Sequence, residues 1–529
     1  MKRIINLVLM IIILAGLFSV PHKVAAYALV YFVAPAGTDS ACTESHPCSL
    51  QTAASLGTAA RTIYMQEGTY TGTGEAVAVL TKTTQIIGSC VFDSNDATDP
   101  VCGYEDSHRS IIDGQSNRRG LVLTGDDTGS GSFYIYNVDI YYGDASDADT
   151  SQCSTDLGTS GGCGGGMFID LGATIFLSGI RFAYNQAGGS DPAKAGMGGG
   201  VYVQNSTNVT ITESIFDHNN ATVSGLGFGG AVFATGISGE MNILDSRFSQ
   251  NTCTTTVEAL SMGCGVMVRY SENVSVNNNY FSNNNPLTTI NAKGSGVFLQ
   301  YNDGFDVWRN TFTLHPGVSV LGADNSSNTG MDTIDANLFM GNSAAKLIQY
   351  EGKYWVKITN NILTYLLAPP TRGGASSTAI DLSSNYITPI KSIANIYHNT
   401  ISNAAIGMDI SNNMMAFLYN NIIANTDVAG ISLPVTPSNL VTQTKTNLFY
   451  NNHGVGGDGI YDPTSVYANP LFVNPSVDLH ITWASPAIDR ATSGWGVYSD
   501  FDGQVRPNGG FDIGADEACG RFFLPVIYR

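Results

Sequence analysis

Between Gly166 and Phe312 the chain repeats one phrase five times: a glycine, three or four mostly apolar residues, a polar gap, an alternating apolar stretch, then Phe. The copies open at Gly166, Gly200, Gly230, Gly265 and Gly296 and close at Phe182, Phe216, Phe248, Phe281 and Phe312, with the closing residues 34, 32, 33 and 31 positions apart. A period of this size marks stacked units, each too small to bury its own apolar face. Before each Phe the apolar residues alternate, as in Val209/Ile211, Val274/Val276 and Phe305/Val307, which is the period of a strand with one inward face. Two positions before the anchor stands a small polar residue: Ser214, Ser246, Asn279, Asn310 and Asn337, then Asn361, Asn399, Asn421 and Asn447. Stacked in register, such side chains can bond to one another and to turn backbone, a ladder that parallel strands permit. A sandwich would need antiparallel hairpins with two-residue turns, and these are scarce here. The expectation is an all-β chain wound as a parallel β-helix.

Beyond Phe312 the repeat shortens to 27 residues at Phe339, then to 22 and 26 between Ile401, Ile423 and Phe449. The longer rungs therefore carry an extra loop of roughly ten residues between the Asn-rich corner and the next opening glycine. Gly188 to Gly199 and Ser224 to Gly229 are examples, and loops of equal phase should project from one side. With strands about 4.8 Å apart, roughly a dozen rungs would make a rod near 60 Å long. A solenoid of this kind also explains how 529 residues avoid division into several compact domains.

Only 13% of residues are charged and 59 are Gly, which suits short strands and tight corners. Lys2-Arg3, an apolar stretch from Leu7 to Phe18 and Val24-Ala25-Ala26 form a secretory signal with cleavage expected after Ala26. Its removal would take the formal charge from −19 to −22, because Lys2, Arg3 and Lys23 leave without any acid. So acidic a surface disfavours nucleic acid and anionic membrane as partners, and no later stretch offers the roughly 20 apolar residues of a membrane span. Eight of nine cysteines fall into four local pairs, Cys42/Cys48, Cys90/Cys102, Cys153/Cys163 and Cys253/Cys264, leaving Cys519 alone. The separators do not suit structural zinc, so four disulfides in an oxidising compartment are expected.

At the N-terminus, Tyr31–Ala34 reads as a first strand and Ser49–Ser55 as a short helix covering the end of a stack. The stretches Cys42–Ala54, Thr62–Gly72 and Ser110–Gly125 resemble the opening of bacterial right-handed parallel β-helix surface proteins of the pectin-lyase-like superfold, including the polymorphic outer-membrane type. The resemblance implies a right-handed solenoid at the cell surface. Ser485–Asp489, Asp500–Pro507 and Asp512–Glu517 resemble a C-terminal segment that precedes anchoring tails in such proteins, although only 49 residues follow His480, too few for an autotransporter barrel. The expected organisation is a signal at 1–26, an N-terminal cap and first rungs at 27–110, the β-helix at 111–480 and a C-terminal capping and anchoring segment at 481–529.

Enzymes of this superfold act on polysaccharides from the outer strands of one sheet, with clustered carboxylates and a nearby cation. Aligned on the anchor Phe, Asp306, Trp308 and Asp335 fall on one outward patch with Arg309 at its edge. Two carboxylates, an aromatic platform and a cation suit a sugar site; the plain alternative is a solvated sheet face. A second column, Phe168, Tyr202, Val232, Met267 and Phe298, faces outward if its neighbours face the core. Tyr202 and Phe298 would then be sugar platforms, unless the glycine-rich loops cover them, which the cost of a bare apolar strip favours. Asp500, Asp502, Asp512 and Asp516 could furnish oxygen ligands for Ca2+, the one cofactor considered, while a pairing of Arg506 with nearby acids accounts for the same residues without a metal. The function expected is binding of an extracellular polysaccharide or a partner surface. A polysaccharide lyase or glycoside hydrolase using Asp306, Asp335 and Arg309 is the first alternative, and a structural surface component the second.

Overall fold

The computed structural model describes residues 29–518 except 58, 93–99, 104–107, 126–130, 148–151, 154–160, 192–193, 224, 254–260, 287–291, 326–329, 353–354, 366–376, 385–391, 412, 434–442, 454–461 and 508. The expected signal segment, Cys519 and the tail to Arg529 lie outside the described residues. Three long sheets run along the chain, here called front, side and back, with 15, 14 and 12 strands among the described residues, all parallel except Val101–Cys102, which pairs antiparallel near one end of the front sheet. Successive rungs stack in sequence order in each sheet.

One rung shows how the sequence makes the winding. Val297–Gln300 lies in the back sheet, Asp303–Trp308 in the front and Thr311–Thr313 in the side. Single left-handed residues, Tyr301, Arg309 and Leu314, turn the corners with φ of 55°, 53° and 58°. Asn tolerates that conformation better than most residues and recurs at equivalent corners, for example Asn137, Asn278, Asn360 and Asn420. Corner N–H groups bond to the following rung, as when Tyr301 N donates to Asp324 O at 3.0 Å and Arg309 N to Asp335 O at 3.1 Å.

The anchor phenylalanines form an inner stack. Phe182, Phe216, Phe248, Phe281, Phe312 and Phe339 lie face to face with centroids 4.7–4.9 Å apart, and all are fully buried. Beside them runs the amide ladder: the N–H of Asn279, Asn310, Asn337, Asn361, Asn399 and Asn421 donates to the side-chain oxygen of the next Asn at 2.9–3.0 Å. Ser214 and Ser246 continue it toward the N-terminus. A second ladder, Asn185, Asn219, Asn251 and Asn284, stands three residues beyond successive anchors and was readable from that spacing.

The loops of the long rungs form a second layer. Gly161–Cys163, Ala195–Met197, Gly227–Phe228, Ser261–Met262 and Ala292–Lys293 make a parallel five-stranded outer sheet. The layer needs small residues where backbones meet: a Cβ at Gly196 would stand 1.8 Å from Ala221 O. The outer sheet buries the column Phe168, Tyr202, Phe233, Met267 and Phe298 against Ala195, Met197, Phe228 and Met262. Phe233 holds this position in place of Val232, because Ala231 occupies the opening-glycine register of that rung. Tyr202 and Phe298, 0% and 1% exposed, are therefore not sugar platforms, and the Tyr202 hydroxyl donates to Gln204.

Disulfides join Cys42 to Cys48, Cys90 to Cys102 and Cys153 to Cys163. The expected fourth is absent: Cys253 and Cys264 are buried free thiols. The two late pairs are not equivalent in register. Cys163 aligns with Met197, Phe228 and Met262 of the outer sheet, whereas Cys264 sits two positions later, next to the opening glycine of its back-sheet strand. Burial and the neighbouring Cys253 sulfur push the Cys264 thiol well up, so it stays protonated. Alkylation in denaturant without reductant should label Cys253 and Cys264 and spare the six bridged cysteines; unlabelled Cys253 and Cys264 would contradict the assignment.

At the N-terminal end the helix Leu50–Ser55, capped by Ser49, turns Leu50, Ala53 and Ala54 into the core. Buried Arg61 donates to its C-terminal carbonyls, Ala53 O, Ala54 O and Leu56 O, at 2.6–2.9 Å. The C-terminal segment folds back along the side of the solenoid. Phe472, Leu479, Ile481, Ala487, Ile513 and Ala515 pack on Ile362, Ile422 and Leu448 of the side sheet. It reaches rungs far upstream, where Asn360 Nδ2 donates to Ser499 O and Gly514 N donates to Asn420 O.

Candidate functional site

The outer face of the front sheet is a set of columns fixed by register. One reads Thr210, Asn242, Ser275, Asp306, Thr333, Lys357 and the next Thr212, Leu244, Asn277, Trp308, Asp335, Thr359. Asp306 pairs with Thr333 and Trp308 with Asp335, so the two acids are diagonal neighbours on adjoining strands of one face. One strand spacing across and two residues along separate their Cβ atoms by about 8 Å. The Arg309 guanidinium lies 4.4 Å from the Trp308 ring centroid. All four candidates are thus brought together: Asp306, Trp308 and Asp335 are half-buried and Arg309 is exposed.

Burial, then the charge of Asp335, pushes the Asp306 carboxyl up to about 6 against a hydrogen bond from Asn277. Burial also raises Asp335, opposed by hydrogen bonds from Thr359 and Asn360 and by Lys357 and Arg309. Thr359 Oγ1 and Asn360 Nδ2 donate to Asp335 Oδ1 at 2.5 and 3.1 Å. Asn277 Oδ1 accepts from Trp308 N at 3.1 Å, which fixes the strand beneath the ring. The site therefore offers one carboxyl that gains a proton near neutrality, a second held in place by two donors, an aromatic face and a cation.

The C-terminal segment supplies one wall. Asn360 Nδ2 bridges Asp335 and Ser499 O, Lys357 Nζ donates to Gly496 O at 3.3 Å, and a Cβ on Gly503 would meet Arg309 Nη2 at 2.2 Å. Lys357, Thr359 and Asn360 were not singled out in sequence; Lys357 and Thr359 continue the two columns by one rung and could have been. On the other flank a groove of about 650 Å³ runs along the front–side corner past Glu213, Asp245, Arg247, Tyr280 and Arg309.

The acids considered for Ca2+ divide. Asp500 accepts from Gln504 N and Glu517 N, and Asp512 from Asp489 N and Ala518 N, so all four of their oxygens are spent on backbone. They shape turns around buried Arg506, which pairs with Glu517 at 2.8 Å. Asp502 and Asp516 instead converge on His480, a residue that sequence reasoning missed.

Three parallel sheets wound rung by rung, inner residue stacks and a polar outer face define the chain as a right-handed parallel β-helix protein. Residues 69–330 match the family described as "Right handed beta helix region". Among solved structures, pectate lyase Pel9A is similar, at 14% identity over 92% of this chain and 96% of its own, with a TM-score of 0.38. A mannuronic acid specific polysaccharide family 6 lyase from human gut microbiota is similar at 10% identity over 80% of this chain and 81% of its own, with a TM-score of 0.31. No curated protein matches the chain in sequence. Among the described residues no helix is long and apolar enough to cross a membrane, and the three disulfides fit an oxidising compartment.

Proposed function

We propose that the protein is exported and holds an extracellular polysaccharide against the outer face of the front sheet, centred on Trp308. The observation that carries this reading is the meeting of Trp308, Arg309, Asp306 and Asp335 on an accessible face, between the corner groove and the C-terminal wall. An aromatic face stacks on the C–H side of a sugar ring, while carboxylates and a guanidinium take its hydroxyls; an apolar partner surface would leave those charges unpaired. Trp308→Ala should weaken retention on a glycan array about tenfold or more while leaving the fold intact. Unchanged retention would remove this face from the binding site.

A second reading, cleavage of the bound glycan, is favoured by the unequal acids. Asp306, protonated below about 6, would donate to the glycosidic oxygen, and ionised Asp335 would take a proton from attacking water. Direct displacement with inversion needs the two carboxyl groups about 6.5–9.5 Å apart, a distance that side chains on Cβ atoms about 8 Å apart can reach. Because the acid form of Asp306 is the active one, release of new reducing ends should fall as pH rises through about 6. Asp306→Asn should abolish release yet keep retention. If the parent protein retains glycan and releases no reducing ends, binding alone stands.

A further inference from the structure

The hairpin Phe472–Ile481 brings His480 against the stretch Asp500–Glu517, whose Gly503 borders the Trp308 face at Arg309. His480 Nε2 lies 3.1 Å from Asp502 Oδ2, and the ligand atoms of His480, Asp502 and Asp516 all fall within 4.8 Å of one another. Two of the three are oriented from behind. Asp478 Oδ1 stands 2.5 Å from His480 Nδ1 and fixes the ring so that Nε2 faces the other two acids. Asp516, 6% exposed, is held through Oδ2 by Ile481 N at 2.8 Å. Asp502 is two-fifths exposed and leaves the cluster open to solvent.

We infer that His480 Nε2, Asp502 and Asp516 form a binding site for a divalent first-row metal ion of the zinc class. The donor set is one imidazole nitrogen and two carboxylates, which suits zinc better than calcium, a cation that takes six to eight oxygens. A carboxylate on the far nitrogen of a ligand histidine is the outer-shell partner that sets its tautomer and raises its basicity, and Asp478 stands there. A tetrahedral zinc ion with bonds of about 2.1 Å needs ligand atoms about 3.4 Å apart, so the cluster must contract by roughly 1 Å. Exposed Asp502 can supply that movement, and solvent fills the fourth position. The ion would tie the hairpin to the stretch that carries Arg506, two parts of the C-terminal segment that pack side by side on the solenoid. The alternative is that a proton on His480 alone bridges the carboxylates.

The full exported chain, stripped with chelator, is titrated with ZnCl2 and separately with CaCl2 by calorimetry, and its thermal unfolding is followed with and without each ion. One equivalent of Zn2+ should bind and raise the unfolding temperature, with no comparable response to Ca2+. His480→Gln and Asp502→Asn should each weaken Zn2+ at least tenfold, and Asp478→Asn about 10–100-fold. His218→Gln, at an exposed histidine beside Asp217, should bind as the parent does. Retained strand circular dichroism in the metal-free variants separates lost binding from lost folding. No saturable Zn2+ binding, binding undiminished in His480→Gln, or a response to Ca2+ alone would overturn the assignment.

Discussion

Replacing Arg506 with Met is expected to loosen the whole C-terminal segment, at a cost of about 3–5 kcal/mol. The Arg506 side chain is fully buried, and its partner Glu517 is 2% exposed. Nη1 donates to Glu517 Oε2 at 2.8 Å and to Asp512 O at 3.2 Å, and Nη2 donates to Gly514 O at 2.8 Å. Met fills the volume but leaves a buried carboxylate without its cation, and this stranded charge accounts for most of the loss. The double variant Arg506→Met/Glu517→Gln removes both charges and should recover a large part of it. Hydrogen exchange gives the readout: the amides of Ile513 and Gly514, which bond to Ala487 O and Asn420 O, should lose protection while the inner rungs keep theirs. Unchanged protection at those two amides would show that side-sheet contacts hold the segment by themselves. Because Asn360 bridges Ser499 and Asp335, glycan retention should fall in the single variant as well.

What the sequence disclosed follows the range of the interactions. Front and side strands were legible because each rung repeats its neighbour: the anchor Phe and the Asn two positions before it carry the same contacts every 22 to 34 residues. The Asp306, Trp308 and Asp335 patch was legible for the same reason, since register alone puts them on one face. The buried state of Tyr202 and Phe298 depended on what loops do after leaving the rung. Ala195, Met197, Phe228 and Met262 are apolar at equal phase, so the cover had a signal in the loop sequences themselves. The slip at Val232 came from one Ala in place of a glycine, and strand periodicity cannot detect a shift whose neighbours are all apolar. The wall formed by the C-terminal segment had no periodic signal, because Asn360 and Ser499 are 139 residues apart and meet once. His480 was missed because its partners lie on different turns of a non-repeating stretch.

Substituting Asn337 with Leu should cost about 3–5 kcal/mol, a large loss for a change that alters volume little. Asn337 is fully buried, and its side chain accepts from Asn310 N and Nδ2 at 2.9 and 3.0 Å. It donates in turn to Val307 O, Asp335 O and Asn361 Oδ1 at 2.8–3.0 Å. Leu leaves Asn310 N–H without its acceptor and Val307 O without this donor, in an interior where each stranded polar group costs about 1–3 kcal/mol. Ser should cost less, because the ladder already uses Ser246 Oγ as an acceptor for Ser214 N at 3.0 Å. The position matters as much as the bonds. A solenoid is stabilised between nearest neighbours, so a weakened interface in mid-stack uncouples the rungs on either side. Denaturant unfolding of Asn337→Leu should therefore split into two transitions where the parent shows one, and Asn337→Ser should broaden it without splitting. Asn337 Nδ2 also holds the main-chain O of Asp335 across the corner at Ala336, so the Leu variant should also retain less glycan. A single unshifted transition in Asn337→Leu would mean that the phenylalanine stack alone sets the cooperativity and that the amide ladder follows it.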